Sequence, residues 1–130
     1  KLSPMFFAYI RRDDRMGKIK VIIHVNTLER WSHALGNAKN LIADLGDTEY
    51  DIIILANGES VHYYTHDFEA ADLKSLKILS EQGVQFKACQ NSLNGNKLVR
   101  EDLHSFVQVV PAGITELIKK QHEGFAYVKP

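Results

Sequence analysis

The feature that most constrains the fold is a short run of consecutive apolar residues, Ile52-Ile53-Ile54-Leu55. A strand that is apolar at every position has both of its faces covered, which is typical of the centre of a parallel sheet. The segment 19–25 has the same character, because only Lys20 and His24 interrupt its β-branched residues. The sequence therefore predicts a parallel sheet with buried central strands.

Helical patterns separate the predicted strands. Apolar residues recur at helical spacing over 31–45, with Thr27 as a candidate N-cap and Gly46 where a C-cap is expected. Residues 60–66 fit either a single helical turn or a loop, and 97–103 fit a short helix. The other predicted elements are helices from Asp67 to before Gly83 and over 115–122, and strands over 50–56, 84–89, 106–110 and 125–128.

This alternation predicts one α/β domain over residues 18–130. Its architecture is a three-layer α/β/α sandwich around a mostly parallel, five-stranded sheet, as in flavodoxin-like folds. Residues 1–17 show no sustained period, and their run Arg11-Arg12-Asp13-Asp14-Arg15 is strongly charged. We therefore predict that 1–17 is an extension, either a tag or a flexible arm, with docking on a neighbouring subunit as the alternative.

The carboxyl edge of the predicted sheet is the candidate ligand site. Right-handed crossovers place the loops after strands one to four along one edge, and open α/β sheets bind ligands there. Small and polar residues gather at this edge. We predict that a binding site is lined by Asn26, Asn57, Gly58, Gln90, Asn91, Ser92 and Gly113.

Cys89, the only cysteine, is the candidate nucleophile because it ends the third predicted strand at this edge. A lone cysteine is more often a small buried apolar residue, so packing is the alternative role. If residues 90–93 begin a helical turn, their N–H groups would favour the thiolate and lower the pKa of Cys89. Without a second cysteine, any sulfur chemistry must hand over to another molecule.

Composition excludes several classes of function. Sixteen basic and sixteen acidic residues give no net charge, which argues against nucleic acid or an anionic membrane as the main partner. No apolar run approaches the roughly 20 residues of a membrane span. One cysteine permits no intrachain disulfide, so we expect a cytoplasmic protein. No cofactor is predicted, because the loop after strand one lacks the glycines that approach phosphates.

The histidines suggest a weaker hypothesis. His62 and His66 are four residues apart, a spacing that suits two metal ligands on a helix, but no further ligands follow and we predict no metal site. His24 and His33 are expected in packing or interfaces. His104 and His122 are expected on the surface. The aromatic residues Trp31, Tyr63, Tyr64 and Phe68 fit either core packing or a subunit contact.

Five segments of the sequence follow one another in an order and spacing that match a known family. They are Ile22-Ile23-His24-Val25-Asn26 with Arg30-Trp31, Ile54-Leu55-Ala56-Asn57-Gly58, Phe86-Lys87-Ala88-Cys89-Gln90-Asn91-Ser92-Leu93, Val109-Val110-Pro111-Ala112-Gly113, and Gly124-Phe125-Ala126-Tyr127-Val128-Lys129-Pro130. Together they resemble the DsrE/DsrF-like family of the sulfur-relay superfamily, from about Lys18 onward. The resemblance identifies the chain as a stand-alone member.

The resemblance implies a five-stranded α/β/α domain that assembles into trimers or hexamers. It also implies that a cysteine at the carboxyl edge accepts sulfur as a persulfide, and by motif match that cysteine is Cys89. The expected function is thus a cytosolic sulfur-relay or sulfurtransferase-like protein with donor and acceptor partners. The alternative is a non-catalytic small-ligand-binding or assembly module in which Cys89 is structural.

Overall fold

Five strands and four helices form the domain in a computed structural model that describes residues 17–68 and 70–130. The predicted extension 1–17 lies outside these residues except for Gly17. The elements in chain order are β1 (Ile19–Val25), α1 (Trp31–Leu45), β2 (Tyr50–Ala56), α2 (Ala70–Glu81), β3 (Gln85–Cys89), α3 (Gln90–Gly95), β4 (Val107–Val110), α4 (Gly113–His122) and β5 (Ala126–Val128). Three 3-10 segments, Leu28–Arg30, Gly58–Tyr64 and Arg100–Asp102, complete them.

The sheet has the order β4-β3-β2-β1-β5, and every neighbouring pair is parallel. The apolar run of β2 lies near the centre, where Ile52 is the register partner of Val21 in β1. Next to the edge strand, Cys89 in β3 is the register partner of Val110 in β4. The predicted α/β fold with a parallel five-stranded sheet is therefore confirmed.

One face of the sheet, called here the aromatic face, carries the larger core. Helices α1 and α2 and the 3-10 segment Gly58–Tyr64 pack on it. Trp31 is fully buried there, stacks on Tyr63 at a ring-centre distance of 4.5 Å, and donates from Nε1 to the Ser60 carbonyl at 2.9 Å. Because Tyr63 and Tyr64 are also buried, core packing is the role of these aromatic residues within the chain.

The opposite face, called here the α4 face, has a smaller core. Leu117 of α4 and the following Phe125 cover Ile22, Ile53 and Leu55, which alternate along β1 and β2 with residues of the aromatic face. Beside this cluster, Lys87 of β3 forms an ion pair with Glu116 of α4 at 2.5 Å, and both side chains are largely buried. The pair ties α4 to β3 on the face that also carries Cys89.

Several local expectations need correction. Thr27 caps no helix with its side chain, because the 3-10 turn Leu28–Arg30 stands between it and α1; its Oγ1 is buried without a partner among the described residues. The ambiguous segment 60–66 lies mostly in a 3-10 helix. The predicted helix 97–103 shrinks to a single 3-10 turn, since the Asp102 carboxylate accepts the Val99 N–H at 2.8 Å and closes a tight turn.

Candidate functional site

The chain leaves two neighbouring strands, β3 and β4, toward opposite faces of the sheet. After β3 it continues into α3, whose Leu93 packs in the core of the aromatic face. After β4 it crosses into α4 on the other face. Such a divergence opens a crevice at the carboxyl ends of the strands, which is where open α/β sheets bind ligands. Cys89 ends β3, and Gly113 begins α4.

The Cys89 thiol lies in this crevice with only 5% of the residue exposed. The N–H of Gly113 donates to its Sγ at 3.3 Å. A Cβ at position 113 would lie 3.3 Å from Cys89 Cβ and 3.6 Å from both Cys89 Sγ and Asn57 Cβ. A Cβ at position 113 would therefore be in tight contact with Cys89 Cβ, so the absence of a side chain lets α4 approach the thiol closely.

The surroundings of Cys89 favour its ionised form. Burial raises the pKa of the thiol, but the Ser92 hydroxyl and the N–H groups of Gly113, Ser92 and Asn91 lower it more, so the pKa falls below its ordinary value. The Ser92 oxygen in turn accepts the Gly58 N–H at 2.8 Å, which leaves its own proton free for the sulfur. The thiolate, not the thiol, is the nucleophilic form of cysteine.

Gly58 places the loop after β2 against this group. Its φ of +59° lies in the left-handed region, and a Cβ there would be 3.1 Å from the Asn26 carbonyl oxygen. The turn that results directs the Gly58 N–H to Ser92. Predicted site residues from the loops after β2, β3 and β4 thus lie around Cys89, and Asn26, after β1, contacts this group through Gly58.

Two predicted lining residues contribute less than expected. The Gln90 side chain donates from Nε2 to Asn94 Oδ1 at 2.9 Å, so it runs along α3 and serves that short helix. Asn91 is exposed, and it acts on the thiol through its backbone N–H alone. In both cases the sequence placed the residue correctly at the edge but did not determine the direction of the side chain.

His24 and Tyr127 belong to the site's surroundings, although the sequence did not single them out for this. His24 Nε2 lies 2.9 Å from Asn57 Oδ1, and His24 Nδ1 lies 2.8 Å from the Tyr127 hydroxyl. Because an amide oxygen only accepts, Nε2 carries a proton, and in neutral His24 the Tyr127 hydroxyl donates to Nδ1. A polar residue at an α4-face position near the carboxyl end of the mostly apolar β1 was the available signal.

A second histidine and asparagine pair supports the other side of the crevice. His62 Nε2 lies 3.1 Å from Asn96 Oδ1, and Asn96 Nδ2 donates to the carbonyls of Ser92 at 2.7 Å and Gly58 at 3.2 Å. These hydrogen bonds connect the loop after β2 with α3, the two segments that contain Gly58 and Ser92. They also separate His62 from His66, whose ring packs against His104. No cluster of three or more potential metal ligands occurs in the described part of the chain.

The fold agrees with what comparison with other proteins shows. The model of the DsrE/DsrF-like family matches residues 19–130. The chain belongs to this family. The match confirms the resemblance seen in the sequence. The family is associated with sulfur relay in general.

Two solved structures share the architecture. A protein of unknown function, MTH1491 from Methanobacterium thermoautotrophicum, is 31% identical, with a TM-score of 0.78 over 86% of this chain and 99% of that one. The ychN protein from E. coli has the same coverage, a TM-score of 0.72 and 17% identity, which shows the fold alone. No curated protein matches the chain. Among the helices of residues 17–68 and 70–130, none combines the length and apolar character of a membrane span.

Proposed function

We propose that this protein is a sulfur carrier or sulfurtransferase-like protein that holds sulfur as a persulfide on Cys89. The observation that carries the proposal is the set of donors around the thiol. The Gly113 N–H at 3.3 Å, the Ser92 hydroxyl and two amides of α3 together lower the pKa of Cys89 despite its burial. The same donors would stabilise the negative charge that a persulfide carries on its outer sulfur.

The chemistry needs no redox partner. The Cys89 thiolate attacks the outer sulfur of a donor such as thiosulfate, a new S–S bond forms, the donor's S–S bond breaks, and sulfite leaves with the electron pair. An acceptor thiolate then attacks the outer sulfur of the persulfide, and Cys89 departs as the thiolate. Because the chain has no second cysteine, the acceptor thiol must come from another molecule.

Intact-mass measurement after incubation with thiosulfate or polysulfide tests the proposal. We expect a gain of about 32 Da, the mass of one sulfur atom added as a persulfide, that a thiol reductant removes. Cys89→Ser is the control and should show no such gain. The proposal fails if the wild type remains unmodified, or if the adduct persists in Cys89→Ser.

The burial of Cys89 supports a second candidate function. With 5% of the residue exposed, the thiol fits a structural role in a non-catalytic module that binds a small ligand in the same crevice. This alternative predicts that a small alkylating agent does not modify the native protein on the timescale on which it modifies the unfolded chain. Rapid modification of native Cys89 would exclude it.

Assembly into a homo-oligomer, a trimer or hexamer, is part of the proposal, as is a cytoplasmic location. Support for assembly comes from large apolar side chains that the single chain leaves open, namely Ile114, Ile118 and Tyr127, at 65%, 50% and 41% exposure. Sedimentation velocity tests it, and a purely monomeric species at all concentrations would refute it. Donor and acceptor proteins would then bind to the assembled homo-oligomer.

A further inference from the structure

A second cleft lies on the aromatic face, between α2 and the segment that leads into β4. Its volume is about 390 Å³, within the range of small-molecule sites. Its walls combine apolar and basic side chains with one serine, Ser105. The apolar wall comprises Leu73, Leu103 and Phe106, and the basic side chains are His66, Lys77 and His104. None of these residues contributes to the Cys89 crevice.

His104 is the unusual member of this cleft. The sequence suggested a surface position, yet only 7% of the residue is exposed, because its ring stacks on Phe106 at 5.5 Å and an interplanar angle of 9°. The His66 ring meets it edge-on at 4.8 Å. Neither ring nitrogen of His104 is a fully enclosed atom without a partner, since Thr27 Oγ1 is the only such side-chain atom among the described residues. Because His104 lines the cleft, its imidazole is available to a ligand there.

The charged side chains that line the cleft are basic, and the acidic Asp67, which follows His66 in the chain, is exposed. Burial lowers the pKa of His104, and the nearby His66 and Lys77 lower it further. Lys77 forms no ion pair within residues 17–68 and 70–130, and no lining residue there is acidic. Of the other charged groups nearby, Arg100 donates to the carbonyls of His104 and Ser105 at 3.4 and 3.2 Å, and Asp102 holds the Val99 N–H.

We propose that this cleft binds a small organic anion whose carboxylate or phosphate oxygens face His66, Lys77 and His104 and whose apolar body packs on Leu73, Leu103 and Phe106. Anionic oxygens would accept hydrogen bonds from the His104 ring and from the Lys77 ammonium. They would also relieve the repulsion among the three basic side chains. Glu81, one helical turn beyond Lys77, lines the adjoining cleft and not this one, so its carboxylate does not compete with a bound anion here.

The binding is linked to proton uptake. In the free protein, burial and the nearby His66 and Lys77 disfavour the charged form of His104. A bound anion favours the charged form. Binding therefore raises the pKa of the imidazole. The affinity therefore increases as the pH falls through the range in which histidine titrates, and it decreases as the pH rises. The affinity of a neutral ligand would not depend on this charge and should not change in this way with pH.

Titration with benzoate, phenyl phosphate and the neutral isostere benzamide tests the proposal, with binding followed by the imidazole NMR signals of His66 and His104. We expect both anions to shift these signals, with about tenfold weaker binding at about pH 8 than at about pH 5.5. A difference between the two anions then identifies the preferred head group. Benzamide should leave the signals in place.

Matched lysine variants complete the test. Lys77→Gln should weaken anion binding about tenfold, since a charge-assisted hydrogen bond is lost. Lys74→Gln removes a neighbouring lysine of α2 that lines only the adjoining cleft, and it should leave the affinity unchanged. His66→Gln, at an exposed position, should also weaken binding. The proposal is overturned if neither anion binds, if benzamide binds equally well, or if both lysine variants bind like the wild type.

Discussion

The two faces of the sheet use the same strands for different purposes. In β3, Phe86 and Ala88 point into the aromatic core, whereas Lys87 and Cys89, which alternate with them, lie on the α4 face. In β1, Lys20 and His24 interrupt the apolar strand on the α4 face. Helices α1, α2 and α3 and a 3-10 segment pack on the aromatic face, whereas α4 is the one helix, with the following Phe125, that covers the other core.

This difference teaches where the domain obtains its stability and where it can support chemistry. The aromatic face buries large rings against each other, and its buried Ser60 and Thr65 hydroxyls donate to backbone carbonyls. The α4 face buries an ion pair and a thiol, which are held by specific donors and acceptors. Buried polar groups cost stability unless they are paired, and the groups that are paired on the α4 face are a charged pair and a thiol.

The largest expected effect is on the aromatic face. Trp31→Ala should lower the free energy of unfolding by about 3–5 kcal/mol, because it removes a fully buried indole and leaves a cavity beside Tyr63. Urea denaturation measures the loss. Ile78→Ala, at a position 46% exposed on α2, is the control and should change stability by less than about 1 kcal/mol. Equal losses in both variants would contradict a core centred on Trp31.

The next effect concerns the ion pair of the α4 face. Lys87→Met should lower the free energy of unfolding by about 3 kcal/mol, because Glu116 is left as a largely buried charge without its partner. The double variant Lys87→Met/Glu116→Leu should recover most of this loss. A double-mutant cycle in urea measures the coupling. If the double variant is as unstable as the sum of the single ones, the two side chains are not paired in solution.

A smaller effect distinguishes two glycines. Gly58→Ala should cost about 1–2 kcal/mol, since alanine would be forced into the left-handed region and its Cβ would press on the Asn26 carbonyl. Gly36 lies in α1 with nothing within 4 Å of the added Cβ, so Gly36→Ala should stabilise the protein by about 0.5–1 kcal/mol. Thermal unfolding measures both. Destabilisation by both substitutions would remove the special role assigned to the Gly58 turn.

The smallest effect on stability, but the most informative for function, is at the thiol. Ser92→Ala should raise the pKa of Cys89, because the hydroxyl that favours the thiolate is lost. The rate of alkylation by iodoacetamide should therefore rise with pH over a higher range than in the wild type, and be slower at neutral pH. The exposed Ser32→Ala is the control. Identical pH profiles for the two variants would show that Ser92 does not act on the sulfur.

Much of this architecture is predictable from the pattern of residues alone. The continuous apolar run of β2 required a strand covered on both faces, and the helical spacing over 31–45 predicted α1, although its N-cap was expected at Thr27, ahead of the 3-10 turn. The alternation of elements then fixed the carboxyl edge, so that Asn57, Gly58, Ser92, Gly113 and Cys89 could be named as neighbours. The direction of Gln90 and the burial of His104 could not be predicted, because each depends on a neighbour supplied by packing.

The sequence by itself determined the strands, the main helices and the position of the cysteine at the end of β3, because these follow from local periodicity and from the handedness of crossovers. Only the tertiary structure decided which atoms meet at that cysteine. The Gly113 N–H reaches the thiol across 24 residues of chain, and Tyr127 reaches His24 across 103. Contacts over such separations depend on how α4 and β5 pack against the sheet, and no local pattern specifies that packing.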